Sequence, residues 1–216
     1  MTVSSQPRPV VYIVDDDCSV ANSLSNLFKS VGLNAEVYNS ASDLRLEELA
    51  DGPSCLVLDV RLPGVSGLDF QEELCQANIR IPIVFMTGHG DIPMTVKAMK
   101  GGAVDFLAKP FREQAMLDAV ALGIENDRKR RAEETAVSDL RERFESLTVR
   151  EREVMALVTA GMMNKQVAAQ TGLAEITVKV HRGRIMKKMG SRSFVDLVRS
   201  AEMLGLHRKM HRETNV

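Results

Sequence analysis

The stretch Cys55-Leu56-Val57-Leu58-Asp59-Val60-Arg61-Leu62-Pro63-Gly64 decides how the rest of this 216-residue chain is read. Four apolar residues end in a carboxylate, and a Leu-Pro-Gly turn follows. A short continuous apolar run of this kind is the pattern of a strand buried on both faces, as a central parallel strand is. Asp59 then stands at its carboxyl end, the edge of an open α/β sheet where ligands and chemistry collect. Taken alone, an aspartate before a turn more often only satisfies turn amides. The other strands must decide.

Upstream, Val10 to Val14 is a β-prone apolar run that ends in Asp15-Asp16-Asp17. Val20, Leu24, Leu27, Phe28 and Val31 recur at helical spacing and Gly32 closes that helix. Asn34 to Tyr38 is a short strand, and Ser40 is expected to open a helix through Leu44 and Leu49. Downstream, Leu68, Phe70, Leu74 and Cys75 lie on a helix, and Ile81 to Met86 is a strand ending in Thr87-Gly88. Pro93 suits the first turn of the next helix, and Val104 to Ala108 is a fifth strand ending in Lys109-Pro110. Strands alternating with helices predict a doubly wound, flavodoxin-like α/β domain with a five-stranded parallel sheet.

Parallel strands share one direction, so Asp15, Asp16, Asp59, Thr87 and Lys109 can meet at one edge despite their separation in sequence. That convergence overturns the turn-only reading of Asp59. Three carboxylates so close cannot all ionise without compensation. Oxygen ligands alone select a hard cation, Mg²⁺ or Mn²⁺. Asp59 can then act as nucleophile toward a phosphoryl group whose oxygens meet the cation, the Lys109 ammonium and the Thr87 hydroxyl.

Composition sets the frame. Hydrophobic content is 44% and charged content 26%, as in a globular protein with a core, and no apolar run is long enough to span a bilayer. A cytoplasmic protein is expected. Cys18, Cys55 and Cys75 match no metal spacing and read as small buried apolar residues. The net charge of -1 conceals an asymmetry. Residues 1–124 carry 9 Lys and Arg against 16 Asp and Glu, 125–145 carry 6 against 7, and 146–216 carry 13 against 6. An acidic front and a basic tail suggest two modules, the second with a polyanionic partner.

Glu113 starts a helix with Met116, Leu117, Val120 and Ile124 on one face. Its charged continuation to Ser146 lacks Gly and Pro, and reads as a long helical linker. Beyond it, Thr148 and Glu151 have capping-box spacing. Asn164 to Gln170 is a short helix, Thr171-Gly172-Leu173 a turn, Glu175 to Met189 a longer helix, and Phe194, Leu197, Val198, Ala201 and Leu204 mark a fourth. This is a small all-α helix-turn-helix domain. Its second helix carries Lys179, His181, Arg182, Arg184, Lys187 and Lys188 without an acid among them, and such a helix fits a major groove. Val178, Ile185 and Met189 recur on the opposite face and are expected to pack inward.

These motifs carry a resemblance. Asp15-Asp16, Asp59 before its Leu-Pro-Gly turn, Thr87-Gly88 and Phe106-Leu107-Ala108-Lys109-Pro110-Phe111 make residues 9–124 similar to a CheY-like response-regulator receiver domain. Leu147 to Val154 and Thr177 to His181 resemble the LuxR-type DNA-binding domain. Together they resemble the FixJ/NarL type of two-component response regulator. The resemblance implies domains at 9–124 and 147–207, a linker at 125–146, and terminal segments at 1–8 and 208–216. It implies Mg²⁺ (or Mn²⁺) on Asp15, Asp16, Asp59 and the backbone carbonyl of Arg61, with Asp15 acting through water, and a cis Lys109-Pro110 bond. Asp59 would be the phosphoacceptor, assisted by Thr87 and Lys109, with Thr87 and Phe106 as the switch. The partners it implies are a sensor histidine kinase, a second copy on phosphorylation, promoter DNA and RNA polymerase, with no membrane. The surface remodelled would be the helix from Pro93, the strand from Val104 and the helix from Glu113.

Among DNA contacts, Lys179, Val180, His181 and Arg182 would meet base edges or groove, and Thr177, Arg184, Lys187 and Lys188 phosphates. Ala174 stands where a capping Ser is usual, and Gly183 sits mid-helix, where it permits close approach or removes a contact. His89 lies where the family's side chain affects hydrolytic water. Asp17 extends the acid pair or is solvated. No dedicated substrate turnover is expected. A phosphatase of the haloacid dehalogenase type needs a second Asp two residues past the first, where Arg61 stands. An RNA-binding antiterminator is disfavoured by the helix-turn-helix turn and by the lack of stacking aromatics in the tail.

Overall fold

The computed structural model describes residues 8–44, 49–88 and 92–206. The chain divides into two compact units, 1–131 and 132–216. In the first, β1 (Val10–Val14), β2 (Asn34–Tyr38), β3 (Ser54–Asp59), β4 (Ile83–Thr87) and β5 (Asp105–Ala108) form one sheet in the order β2-β1-β3-β4-β5. Every pairing is parallel. α1 (Cys18–Ser30), α2 (Gly67–Gln76), α3 (Ile92–Lys100) and the start of α4 (Glu113–Glu145) complete it.

The central strands are continuous apolar runs because both of their faces are covered. Tyr12, Val14, Leu56, Leu58 and Phe85 pack with Leu68, Phe70 and Leu74 of α2 and Ala98 of α3 on one side. Val11, Ile13, Val57, Val84 and Met86 pack with Leu24 and Phe28 of α1 and Met116, Val120 and Ile124 of α4 on the other. Each fully buried Leu, Ile or Phe contributes about 1.5–3 kcal/mol relative to exposure. The two-residue alternation of a strand therefore supplies two core layers at once.

Three expectations change. The helix expected from Ser40 is a single 3-10 turn, Ala41–Asp43, ending at Leu44, and residues 45–48 lie outside the described part. Ser40 offers no side-chain cap, its hydroxyl bonding Ser42 and the Asp43 carboxylate instead. Of the cysteines only Cys55 is buried; Cys18 and Cys75 are exposed. The charged continuation of α4 is not simply solvated. Asp127 is fully buried and accepts the Ser54 N–H at 2.9 Å, Arg131 Nε at 2.7 Å and the Arg130 guanidinium. α4 is thus pinned to the start of β3 three residues beyond Ile124, where its apolar buried face ends and a helix of mixed charge gave no hydrophobic signal.

The second unit holds α5 (Val149–Thr159), α6 (Asn164–Thr171), α7 (Glu175–Met189) and α8 (Phe194–Met203). The capping box at Thr148 and Glu151 forms as its spacing predicts. Gly172, at φ +69°, ends α6 in the left-handed region that a side chain disfavours and turns the chain toward α7. Val178, Ile185 and Met189 are buried, joining Leu147, Val154, Met155, Val158, Val167, Leu197 and Ala201 in one core. Leu140 and Phe144, from the expected linker, pack against it. Among the described residues no helix is long and apolar enough to cross a membrane.

Candidate functional site

Register sets the acid pocket. Val14 pairs with Leu58 and Asp59 with Met86, so the chain leaves β1, β3 and β4 at nearly one level. Asp15 follows β1 directly, Asp59 ends β3, Thr87 ends β4 and Lys109 follows β5. The Lys109 N–H donates to the Thr87 carbonyl at 2.7 Å, and the Lys109-Pro110 bond is cis.

Lys109 Nζ lies 2.6 Å from Asp15 Oδ2 and 2.6 Å from Asp59 Oδ2. The other oxygen of each carboxylate is also placed: Asp15 Oδ1 accepts the Asp17 N–H and Asp59 Oδ1 the Arg61 N–H, both at 2.9 Å. Asp15 and Thr87 are fully buried, Asp59 is 6% exposed, and Asp16 is exposed. Burial pushes the Asp15 carboxyl above its ordinary value, against the opposing bond from Lys109. Burial works to depress the Lys109 ammonium, but the bonds from Asp15 and Asp59 outweigh it and hold it above its usual value.

Carboxylate oxygens of Asp15, Asp16 and Asp59 all lie within 4.8 Å of one another. Three ionised carboxylates against one ammonium leave an excess of two negative charges, and the donors are oxygens only. That donor set fits a hard divalent cation.

Two features escaped the sequence reading. Asp17 is neither a site acid nor merely solvated: its Oδ1 accepts the N–H groups of Ser19 (2.8 Å) and Val20 (3.3 Å) and caps α1. Its place just before a helical run was the available signal. Gly67 is the other. A Cβ there would stand 2.3 Å from the Asp59 carbonyl oxygen, so the start of α2 closes on β3 only because the side chain is absent. Phe106 is half-buried with its ring centroid 6.2 Å from that of Phe85. His89 lies outside the described residues.

In the second unit the basic set divides. Lys179, Val180, Arg184 and Lys187 are exposed on α7, while Thr177, His181 and Arg182 are half-buried. Lys188, expected to meet a phosphate, donates instead to Glu151 Oε2 at 2.6 Å and to the Ser146 carbonyl at 3.2 Å. Arg182, expected at base edges, donates to Asn164 Oδ1 at 2.6 Å and lies over the Phe194 ring at 5.2 Å. These two cations hold α7 against α5, α6 and α8. Their partners lie 37 and 18 residues back in the chain, beyond the reach of a helical pattern. The Ala174 cap makes no side-chain bond, and a Cβ at Gly183 would meet open space.

An acid pocket with one bridging lysine at the carboxyl edge of a doubly wound sheet, followed by a helix-turn-helix, defines a two-module regulator. Residues 11–121 match the family described as response regulator receiver domain, and residues 145–201 the family described as bacterial regulatory proteins, luxR family. The chain belongs to the two-component response regulators with a LuxR-type helix-turn-helix DNA-binding domain. It is 57% identical to Nodulation protein W of Bradyrhizobium diazoefficiens, covering 97% of this chain and 92% of that one. It is 47% identical to Response regulator protein TodT of Pseudomonas putida, covering 93% and 88%. Among solved structures, response regulator StyR is similar at 49% identity with a TM-score of 0.81, over 91% of this chain and 99% of that one.

Proposed function

We propose that this chain is a cytoplasmic transcription regulator switched by phosphorylation of Asp59 from a sensor histidine kinase. The observation that carries the reading is the Lys109 ammonium 2.6 Å from both Asp15 and Asp59, beside the buried Thr87. An Asp59 carboxylate oxygen forms the new P–O bond as the P–N bond to the kinase histidine breaks. The electron pair leaves with the imidazole nitrogen, which takes a proton from solvent. Asp16, Asp59 and the Arg61 carbonyl, with Asp15 through water, would hold Mg²⁺ (or Mn²⁺), which when bound would neutralise charge on the phosphoryl oxygens.

Lys109 must release part of its hold on Asp59 to meet the incoming group, and it remains anchored by Asp15. The added charge of roughly -1.5 to -2 draws the Thr87 hydroxyl toward it, by analogy with other phosphorylated side chains. The space Thr87 vacates then admits the half-buried Phe106, and the altered face pairs two copies. The receiver spans 9–124, extended by the turn of α4 that Asp127 ties to β3. The DNA-binding domain at 147–207 takes Leu140 and Phe144 from the preceding linker. Lys179, Val180 and His181 face the groove, Thr177, Arg184 and Lys187 the phosphates, and RNA polymerase is a further partner.

Incubation with acetyl phosphate tests the first step. With Mg²⁺ present, the peptide containing Asp59 gains the mass of one phosphoryl group. The gain disappears with a chelator and in Asp59→Asn. Incorporation that persists in Asp59→Asn contradicts the assignment.

A further inference from the structure

Ile176 is 68% exposed in the first turn of α7, and Val180, four residues on, is 47% exposed. At about 100° per residue the two side chains stand roughly 40° apart on the helix. Lys187 falls between them in direction, and Lys179 and Arg184 flank the pair, while Val178, fully buried, points to the opposite side. Single exposed apolar residues need no explanation. A branched apolar pair at i and i+4, ringed by three exposed cations and opposite the core stripe, is a different pattern. Water gains nothing from it, and the unit's own core does not use it.

Gly183 completes this face. No side chain rises there, and a Cβ would meet open space, so the helix leaves the surface next to Val180 uncovered. The cations complement a phosphate backbone, and the apolar pair complements the one apolar group on a major-groove base edge, the thymine C5 methyl. On the reading of α7 as a recognition helix, we infer that Ile176 is a specificity-determining residue that contacts a thymine methyl group in each DNA half-site.

Arg182 and Lys188 sharpen this by subtraction, since both are already engaged by protein partners. With no side chain at 183 either, the exposed cations left on α7 as hydrogen-bonding readers are Lys179, Arg184 and Lys187. Discrimination by apolar contact then carries a larger share of the specificity. Glu175 beside Ile176 opposes close approach to phosphate at that turn, which favours a base-edge position for Ile176 over a backbone one.

The test uses the full chain treated with acetyl phosphate and Mg²⁺. The best-bound sequence is selected from a pool of random duplexes, and each dT is then replaced singly by dU, which removes only the methyl. At one position per half-site the wild type should weaken roughly three- to tenfold, the scale of one apolar contact at a base. Ile176→Ala should bind the dT and dU duplexes equally at that position, and Ile176→Val should keep part of the difference. A dT preference that survives in Ile176→Ala, or binding indifferent to every methyl, overturns the inference while leaving DNA recognition by α7 intact. Failure to enrich any sequence overturns both.

Discussion

The acid pocket and the face of α7 are both dense in charge, and they treat it in opposite ways. At the sheet edge Lys109 bridges two carboxylates that are themselves almost wholly buried. On α7 the exposed cations Lys179, Arg184 and Lys187 face solvent, and only Arg182 and Lys188 are turned to protein partners. A closed, charge-imbalanced pocket is suited to a small charged reactant. An open cationic face is suited to an extended polyanion, whose affinity grows with the number of neutralised phosphates. The same residue types therefore have different uses, set by which neighbours the fold brings to them.

The largest effect that can break this contrast belongs to the pocket. Lys109→Ala leaves Asp15 buried without its cation and removes the group that would meet the phosphoryl oxygens. Acetyl phosphate labelling of Asp59 should fall on the order of a hundredfold or more, as for loss of one fixed charge donor. Labelling of the Lys109→Ala protein within threefold of wild type would separate Lys109 from the chemistry.

Gly67→Val comes next. Its side chain would meet the Asp59 carbonyl that a Cβ already approaches to 2.3 Å, so the start of α2 must shift away from β3. Thermal or urea unfolding should show a loss of about 1–3 kcal/mol, the range for overpacking. Labelling should also slow, because the displaced carbonyl belongs to Asp59, the proposed phosphoacceptor. Gly183→Ala, in open space, is the control and should be slightly stabilising.

The two cations at the end of α7 give a smaller, sharper test. Lys187→Ala should lower DNA affinity and reduce the slope of log K against log salt by about one, with stability unchanged. Lys188→Ala should instead leave Glu151 buried without its cation, lowering the stability of the second unit by about 1–2 kcal/mol, with little change in the salt slope. If the two variants behave alike in both measurements, the division of α7 into holding and contacting cations is wrong.

Smallest is a pH effect at the same pair. The bond from Lys188, with the Thr148 N–H beside it, holds the Glu151 carboxyl below its ordinary value of 4.5. A group depressed in the folded state stabilises above its unfolded pKa, and that contribution is lost as pH falls through the folded value. The second unit should therefore lose stability below about pH 4.5, and Glu151→Gln should flatten that part of the curve. An unchanged pH profile in Glu151→Gln would assign the acid sensitivity elsewhere.

Much of this was legible in the chain. Strands β1, β3 and β4 announce themselves as apolar runs because both faces are buried, and parallel direction alone gathers Asp15, Asp59, Thr87 and Lys109 at one edge. Helix ends at Thr148, Gly172 and Gly190 follow from local rules. What stayed hidden depends on neighbours remote in sequence. Asp127 in a charged helix gives no sign that it meets Ser54, 73 residues away. Lys187 and Lys188 are adjacent and identical, and the positions of Glu151 and the Ser146 carbonyl distinguish them. The glycine of Ser66-Gly67 looks like an ordinary helix start until β3 is placed against it.

On the proposed function, the state of Asp59 governs what α7 does. The most direct measurement compares DNA footprints, across genomic promoter fragments, of the full chain with and without acetyl phosphate and of Asp59→Asn treated alike. Protected sites should appear or strengthen with acyl phosphate in the wild type and never in Asp59→Asn. Equal protection in all three samples would contradict it.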